Sequence, residues 1–293
     1  MPGVFDHSHT GGTVVNAMSV DVEDYFHVSA FTDYAGRDGW DSFPMRVVDN
    51  TRRILDLFAA AEVQATFFVL GWVAERYPQI VRAIVEGGHE LASHGYDHIR
   101  VGEQRPEEFR ADVTRTRLLL EAEGGVPVRG YRAASFSINR SNWWAFDELA
   151  EAGYLYSSSV SPIHHDHYGV PDAPRQPFQP TPDGVLEIPV GTIAVCGRRM
   201  SLGGGFFRAL PYRWSRGSLA VTNAVERRPE VFYFHPWEID PGQPRLPMPS
   251  MRSRVRHYLN LGVMEGKVRR LLDDFHWNRI DRVFPVGESN RHA

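Results

Sequence analysis

The sequence predicts a single α/β barrel of about seven strand–helix units, with long decorated loops. Three observations carry this reading. Strand-type and helix-type apolar patterns alternate along the chain, which favours a largely parallel sheet. No linker divides the 293 residues, a length that one large α/β barrel fills. Polar clusters fall where apolar strands run out, the place where parallel α/β folds build their sites.

The first strand is expected at Val14 to Val22, rich in β-formers and small residues. A helix over Met45 to Ala61 carries Val47, Ile54, Leu55 and Phe58 at helical spacing. A strand at Ala65 to Leu70, a helix at Tyr77 to Gly87 stopped by Gly87-Gly88, and a strand at Glu90 to Ser93 follow. Pro106 opens a long helix reaching Glu123, since proline is tolerated in a first turn, and Gly124-Gly125 ends it. Next come a short strand at Val128 to Arg132, a helix at Asn142 to Ala152 stopped by Gly153, and a strand from Tyr154. Ser161 to Asp183, rich in Pro, His and Asp, reads as a long surface loop. Strands at Val185 to Val190 and Thr192 to Val195 precede the stretch Gly203-Gly204-Gly205. That stretch lacks the lysine and spacing of a phosphate-binding loop, so no nucleotide cofactor is expected. A helix at Pro211 to Arg227, a last strand at Val231 to Phe234 and a basic helix over Arg252 to Phe275 complete the series.

Composition narrows the function classes. A net charge of -4 offers no basic footprint for nucleic acid. The single cysteine, Cys196, excludes an intrachain disulfide and a Cys-based zinc site, and reads as a packing residue. Met1 to Ala17 lacks a basic segment followed by an apolar one, and no apolar run reaches the roughly 18 residues that span a bilayer. The expected location is cytoplasmic.

Four clusters can carry chemistry. In Ser19-Val20-Asp21-Val22-Glu23-Asp24, three carboxylates end an apolar strand, with Asp21 and Glu23 on one face by period-two alternation. Like charges so close call for a cation, an arginine or a shared proton; an acidic turn in solvent is the competing reading. His94 and His98 lie four apart, which on a helical turn puts both imidazoles on one side. With a carboxylate they make a His, His, acid set suited to a hydrolytic divalent metal, although surface histidines share that spacing. Arg132 can hold a carboxylate through a bidentate pair, or be a structural arginine. His235 directly follows a buried strand, as a general acid or as a core histidine. His164-His165-Asp166-His167 follows no strand and reads as a loop tract rather than a ligand set.

At these clusters the chain resembles the NodB-homology polysaccharide deacetylases of carbohydrate esterase family four, and within them the subgroup associated with exosortase-linked exopolysaccharide loci. The resemblance rests on Val20 to Phe26, Ala65 to Gly71, Gly88 to Gly95 with His98, Gly130 to Ala133, and Phe234 to Pro241. It implies a distorted (β/α) barrel over 17–280, with the helical part 250–280 packed on it and flexible tails at 1–16 and 287–293. It implies one divalent metal, zinc first among the options, and release of acetate from N-acetylated amino sugars of an exopolysaccharide or its precursor. By position, His94 and His98 match the metal histidines, Asp21 the general base, Arg132 its orienting arginine and His235 the general acid. Glu23 and Asp24 both stay open as the metal carboxylate, with alternation favouring Glu23. Three positions depart from the family pattern: Gly95, Ala134 and Ser157 stand where Ser or Thr, Pro, and Asp are common.

The expected partner is an N-acetylated oligo- or polysaccharide, with association to membrane-bound exopolysaccharide machinery compatible with the missing signal segment. Tyr25, Phe26, Trp237 and the 161–183 loop are candidates to line a sugar groove, against core packing for each aromatic. Two other functions compete: a small-molecule C–N hydrolase of cyclic ureides or imides, and an inactive sugar-binding protein.

Overall fold

Val15–Val22 forms β1, and every residue of it after Val15 is buried. Such a continuous buried run belongs to a strand covered on both faces, as in parallel α/β sheets. The computed structural model describes residues 13–31, 34–165, 168–195, 198–247, 250–284 and 286–287. Its other strands are β2 Thr66–Val69, β3 Glu90–Ser93, β4 Gly130–Tyr131, β5 Tyr156–Ser157, β6 Leu186–Glu187, β7 Thr192–Val195, β8 Arg198–Ser201, β9 Val231–Phe234 and β10 His276–Asn278.

The main sheet has the order β10-β1-β2-β3-β4-β5-β6, with β9 also on β1. Every pairing in it is parallel. The sheet curls into an incomplete barrel, as the alternation of elements predicts. Between β6 and β9 the wall is stitched by one backbone bond, Gly191 N–H to Val231 O at 2.7 Å. A Cβ at Gly191 would sit 2.8 Å from that same carbonyl oxygen, so the close approach requires glycine.

Helices cover the sheet. Val47–Ala60 buries Val47, Ile54, Leu57 and Phe58 on one face. Pro106–Gly124 starts on its proline and ends at Gly125 in the left-handed region (φ 65°). Among the described residues, no helix is long and apolar enough to cross a membrane.

Some elements differ from expectation. The basic helix over Arg252 to Phe275 is two helices, Met251–Tyr258 and Leu261–Asp274, because Leu259 is extended and Asn260 is left-handed (φ 57°). The helix at Pro211 to Arg227 is α-helical only over Tyr212–Val221 and then widens into a π turn that ends at left-handed Arg227. The strands expected at Val128 to Arg132 and Val185 to Val190 shorten to two residues each, β4 and β6. Residue Cys196, the pair Asp166 and His167, most of the 1–16 segment and residues 288–293 lie outside the described residues.

Candidate active site

The C-terminal ends of the parallel strands place the polar clusters together. Glu23 follows β1, His94 follows β3, Arg132 follows β4, Ser158 follows β5 and His235 follows β9. Parallel register makes this convergence automatic, since all these strands point the same way. The assembled residues are buried: Arg132 and Ser158 are fully covered, and Asp21, Glu23, His94 and His98 are at most 6% exposed.

One atom from each of Glu23, His94 and His98 lies within 4.8 Å of the others. His94 Nδ1 sits 2.8 Å from the Arg132 carbonyl oxygen. A carbonyl only accepts, so Nδ1 carries the proton and Nε2 keeps its lone pair for a metal. Burial lowers the His94 pKa to about 4, which keeps the ring neutral. The helical turn expected for this pair is absent. Gly95 (φ 74°) and His98 (φ 53°) adopt left-handed conformations in a loop that brings the two rings to 5.3 Å. Glycine at 95 suits that backbone, whereas serine or threonine there would be strained.

Glu23 takes the carboxylate position beside the histidines. Its Oε2 is 3.0 Å from His98 Nε2 but has no hydrogen bond of good geometry. Burial raises the Glu23 pKa, but His98 and His235 outweigh it and hold the group below the usual carboxylate range. Asp24 is not in the cluster. Its Oδ1 accepts from Tyr25 N–H at 2.8 Å, and its Oδ2 accepts from Arg46 N–H at 2.6 Å and Val47 N–H at 2.8 Å. Both oxygens are therefore spent on backbone, at the positive end of the Val47–Ala60 helix, where a carboxylate is stabilising.

An orphaned buried carboxylate oxygen and a neutral imidazole with a free Nε2 fit a divalent metal. Two nitrogens and one oxygen are the donor set of hydrolytic zinc sites that keep positions open.

Beside this cluster, Arg132 Nη1 donates to Asp21 Oδ1 at 2.6 Å and to Ser19 Oγ at 2.9 Å. Its other nitrogens donate to the Ser158 carbonyl (2.9 Å) and hydroxyl (3.0 Å). The guanidinium lies 4.1 Å from the centre of the Phe68 ring. Ser135 and Phe136, just beyond Arg132, have φ of 52° and 49°, strained for residues with side chains. Ser157 Oγ donates to Ser159 Oγ at 2.7 Å.

His235 faces the carboxylates. Its Nε2 lies 3.5 Å from Glu23 Oε1 and 3.8 Å from Asp21 Oδ2, while Nδ1 meets Glu238 Oε2 at 3.0 Å. Burial opposes its charge, but Glu23, the bond to Glu238 and Asp21 outweigh that and push its pKa up to about 9. Glu238 lies in the Phe234 to Pro241 stretch, but the reading of the sequence assigned it no role. The i,i+3 spacing from His235 was visible, but a carboxylate buried with an arginine was not.

The aromatic candidates do not form a groove. Tyr25 and Phe26 are buried, with Phe26 stacked on Phe43. Trp237 is buried too, donating its indole N–H to Glu23 Oε1 at 3.1 Å.

Residues 38–156 match the family model described as polysaccharide deacetylase, and residues 158–285 match a domain of unknown function, DUF3473. The chain is 36% identical over 75 residues to a peptidoglycan-N-acetylglucosamine deacetylase of Bacillus cereus, covering 26% of this chain and 27% of that protein. It is 46% identical over 48 residues to a chitooligosaccharide deacetylase of Sinorhizobium fredii, 16% of this chain and 22% of that one. The chain thus spans about a quarter of the length of these two relatives. A crystal structure from Mycobacterium smegmatis, described as a polysaccharide deacetylase, superposes with a TM-score of 0.63 at 20% identity, covering 98% of this chain and 94% of that one. At that identity the likeness establishes the fold.

Proposed function

We infer, for a chain whose residues 38–156 match the polysaccharide deacetylase family model, that it hydrolyses N-acetyl groups of amino sugars with the help of a divalent metal. The observation that carries the reading is the meeting of Glu23, His94 and His98 within 4.8 Å, beside the Asp21–Arg132 pair at 2.6 Å. A buried carboxylate aimed at two imidazoles favours a catalytic metal over an inactive binding protein.

Glu23, His94 and His98 would hold the metal, which supplies Lewis-acid polarisation of a carbonyl and lowers the pKa of a water from about 15.7 to roughly 7. The rest falls to side chains of this chain. Arg132 fixes Asp21 through Oδ1. Asp21 takes a proton from water as its oxygen adds to the acetamide carbon. In its protonated form His235 gives the Nε2 proton to the sugar nitrogen as the C–N bond breaks. The products are acetate and a free amine, and Asp21 and His235 regain their starting states by proton exchange with solvent.

The finer reading is an enzyme of exopolysaccharide synthesis, of the subgroup linked to exosortase loci, using zinc and working on the cytoplasmic side beside membrane-bound machinery. It is supported by the resemblance to that subgroup over Val20 to Phe26, Ala65 to Gly71, Gly88 to Gly95 with His98, Gly130 to Ala133 and Phe234 to Pro241. The roles given to Asp21, Arg132 and His235, and one barrel domain over 17–280, belong to the same proposal.

Metal content of purified protein tests the site. About one zinc or similar ion per chain, lost in a His94→Ala, His98→Ala variant, is the expected result. A wild type that binds no divalent ion after reloading would overturn the metal-dependent reading.

A further inference from the structure

The Gly203-Gly204-Gly205 stretch packs in a specific way. A Cβ at Gly203 would sit 2.2 Å from the Tyr233 carbonyl oxygen, and one at Gly204 would sit 2.9 Å from the Tyr233 ring. Gly204 is also left-handed (φ 54°). These glycines let the helix Gly204–Ala209 lie directly on β9, the strand that ends at His235. The helix brings a fully buried arginine, Arg208, into that contact.

Arg208 Nε donates to Glu238 Oε1 at 2.9 Å. Its Nη groups donate to the carbonyls of Arg256 (2.9 Å), His257 and Leu259 (3.2 Å). Those carbonyls close the Met251–Tyr258 helix, whose C-terminal end carries partial negative charge and unpaired acceptors. Glu238 turns its other oxygen to His235, accepting from its backbone N–H at 3.1 Å and meeting ring Nδ1 at 3.0 Å. An ionised carboxylate only accepts, so Nδ1 carries a proton and Nε2 points at Glu23 and Asp21. Trp237 limits rotation of the ring: it stacks on His235 at 5.2 Å and on His257 at 4.4 Å.

We propose that Glu238, held by Arg208, is the positioning residue of His235. The region 158–285, matched by the domain of unknown function, builds the entire support: Arg208, Glu238, the Met251–Tyr258 helix end and the glycine contact. The inference rests on the reading of His235 as the proton donor.

The test uses the full chain loaded with zinc and two variants. Glu238→Gln keeps an acceptor but removes the charge. The double variant Arg208→Met, Glu238→Leu removes the buried pair without stranding either charge, which usually preserves folding. Removing a histidine's orienting partner typically costs about 10- to 100-fold in activity. Glu238→Gln is expected to lower kcat for acetate release by about that factor, with KM and zinc content unchanged. In a His235→Ala background it adds nothing, because it acts through His235. Equal losses with and without His235, or an unchanged kcat, would overturn the proposal. A second readout needs no turnover. Nitrogen-resolved NMR of the His235 ring is expected to show a slowly exchanging Nδ1–H in the wild type that is lost in the double variant. A fast-exchanging wild-type Nδ1–H would overturn the relay even if the enzyme proves inactive. A wild type with this signal but no acetate release would instead count against the deacetylase reading alone.

Discussion

Asp21 Oδ1 and Arg132 Nη1 lie 2.6 Å apart, with neither residue more than 1% exposed. A pair so buried is costly to desolvate and survives only with its remaining donors satisfied, here by Ser19 and both polar groups of Ser158. Asp21→Asn removes the charge while keeping the shape. We expect kcat to fall roughly 10²- to 10⁴-fold, the range of general-base loss, with bound metal retained. Arg132→Met strands the Asp21 charge and should cost about 3–5 kcal/mol of stability. Acetate-release kinetics and urea unfolding check the two.

The neighbouring acids Glu23 and Asp24 should separate cleanly. Glu23→Gln weakens metal binding, because Glu23 is the carboxylate beside His94 and His98. Asp24→Asn leaves metal content intact and lowers stability by about 1 kcal/mol, the usual worth of a helix N-terminal acceptor. Metal analysis beside urea unfolding of both variants distinguishes them; equal metal loss in both would contradict the assignment.

At the opposite end of the barrel, Glu90 Oε2 lies 2.5 Å from Thr66 Oγ1, and Glu90 Oε1 accepts from Tyr156 O–H at 2.9 Å. Burial, and then Asp281, raise the Glu90 pKa above the carboxylate range. A raised folded pKa means stability fully present below the unfolded value of about 4.3 and lost as pH rises through the folded value. Glu90→Gln, which mimics the protonated form, should therefore gain on the wild type between pH 5 and pH 8. Urea unfolding of both proteins at the two pH values measures this. A stability difference that does not change with pH would refute it.

Gly191 tests the stitch between β6 and β9. Gly191→Ala places a methyl 2.8 Å from the Val231 carbonyl oxygen. Backbone cannot yield as a flexible side chain can, so a loss of about 1–3 kcal/mol is expected in urea unfolding.

Much of this was legible in the sequence, for reasons particular residues show. His94, Arg132 and His235 each directly follow a strand, and parallel strands make such positions converge. Alternation leaned towards Glu23 but left the choice between it and Asp24 open, because β1 ends at Val22. Distant backbone donors, Arg46 and Val47, decide it. The spacing of His94 and His98 suggested a helix because left-handed φ at His98 leaves no mark in its residue type. Tyr25 and Phe26 looked like sugar platforms, but Phe43, Trp40 and Trp72 pack on Phe26, and Phe26 packs on Tyr25. β10 escaped notice since its three residues pair only with Val15, Asn16 and Ala17.

The most direct test of the central claim is acetate release from a panel of N-acetylhexosamine oligomers by zinc-loaded protein, with free amine measured in parallel. The account predicts acetate and amine in equal amounts from the wild type, and a rate at least about 100-fold lower from Asp21→Asn. Metal-loaded wild type that releases no acetate from any oligomer, or Asp21→Asn that matches it, would contradict the account.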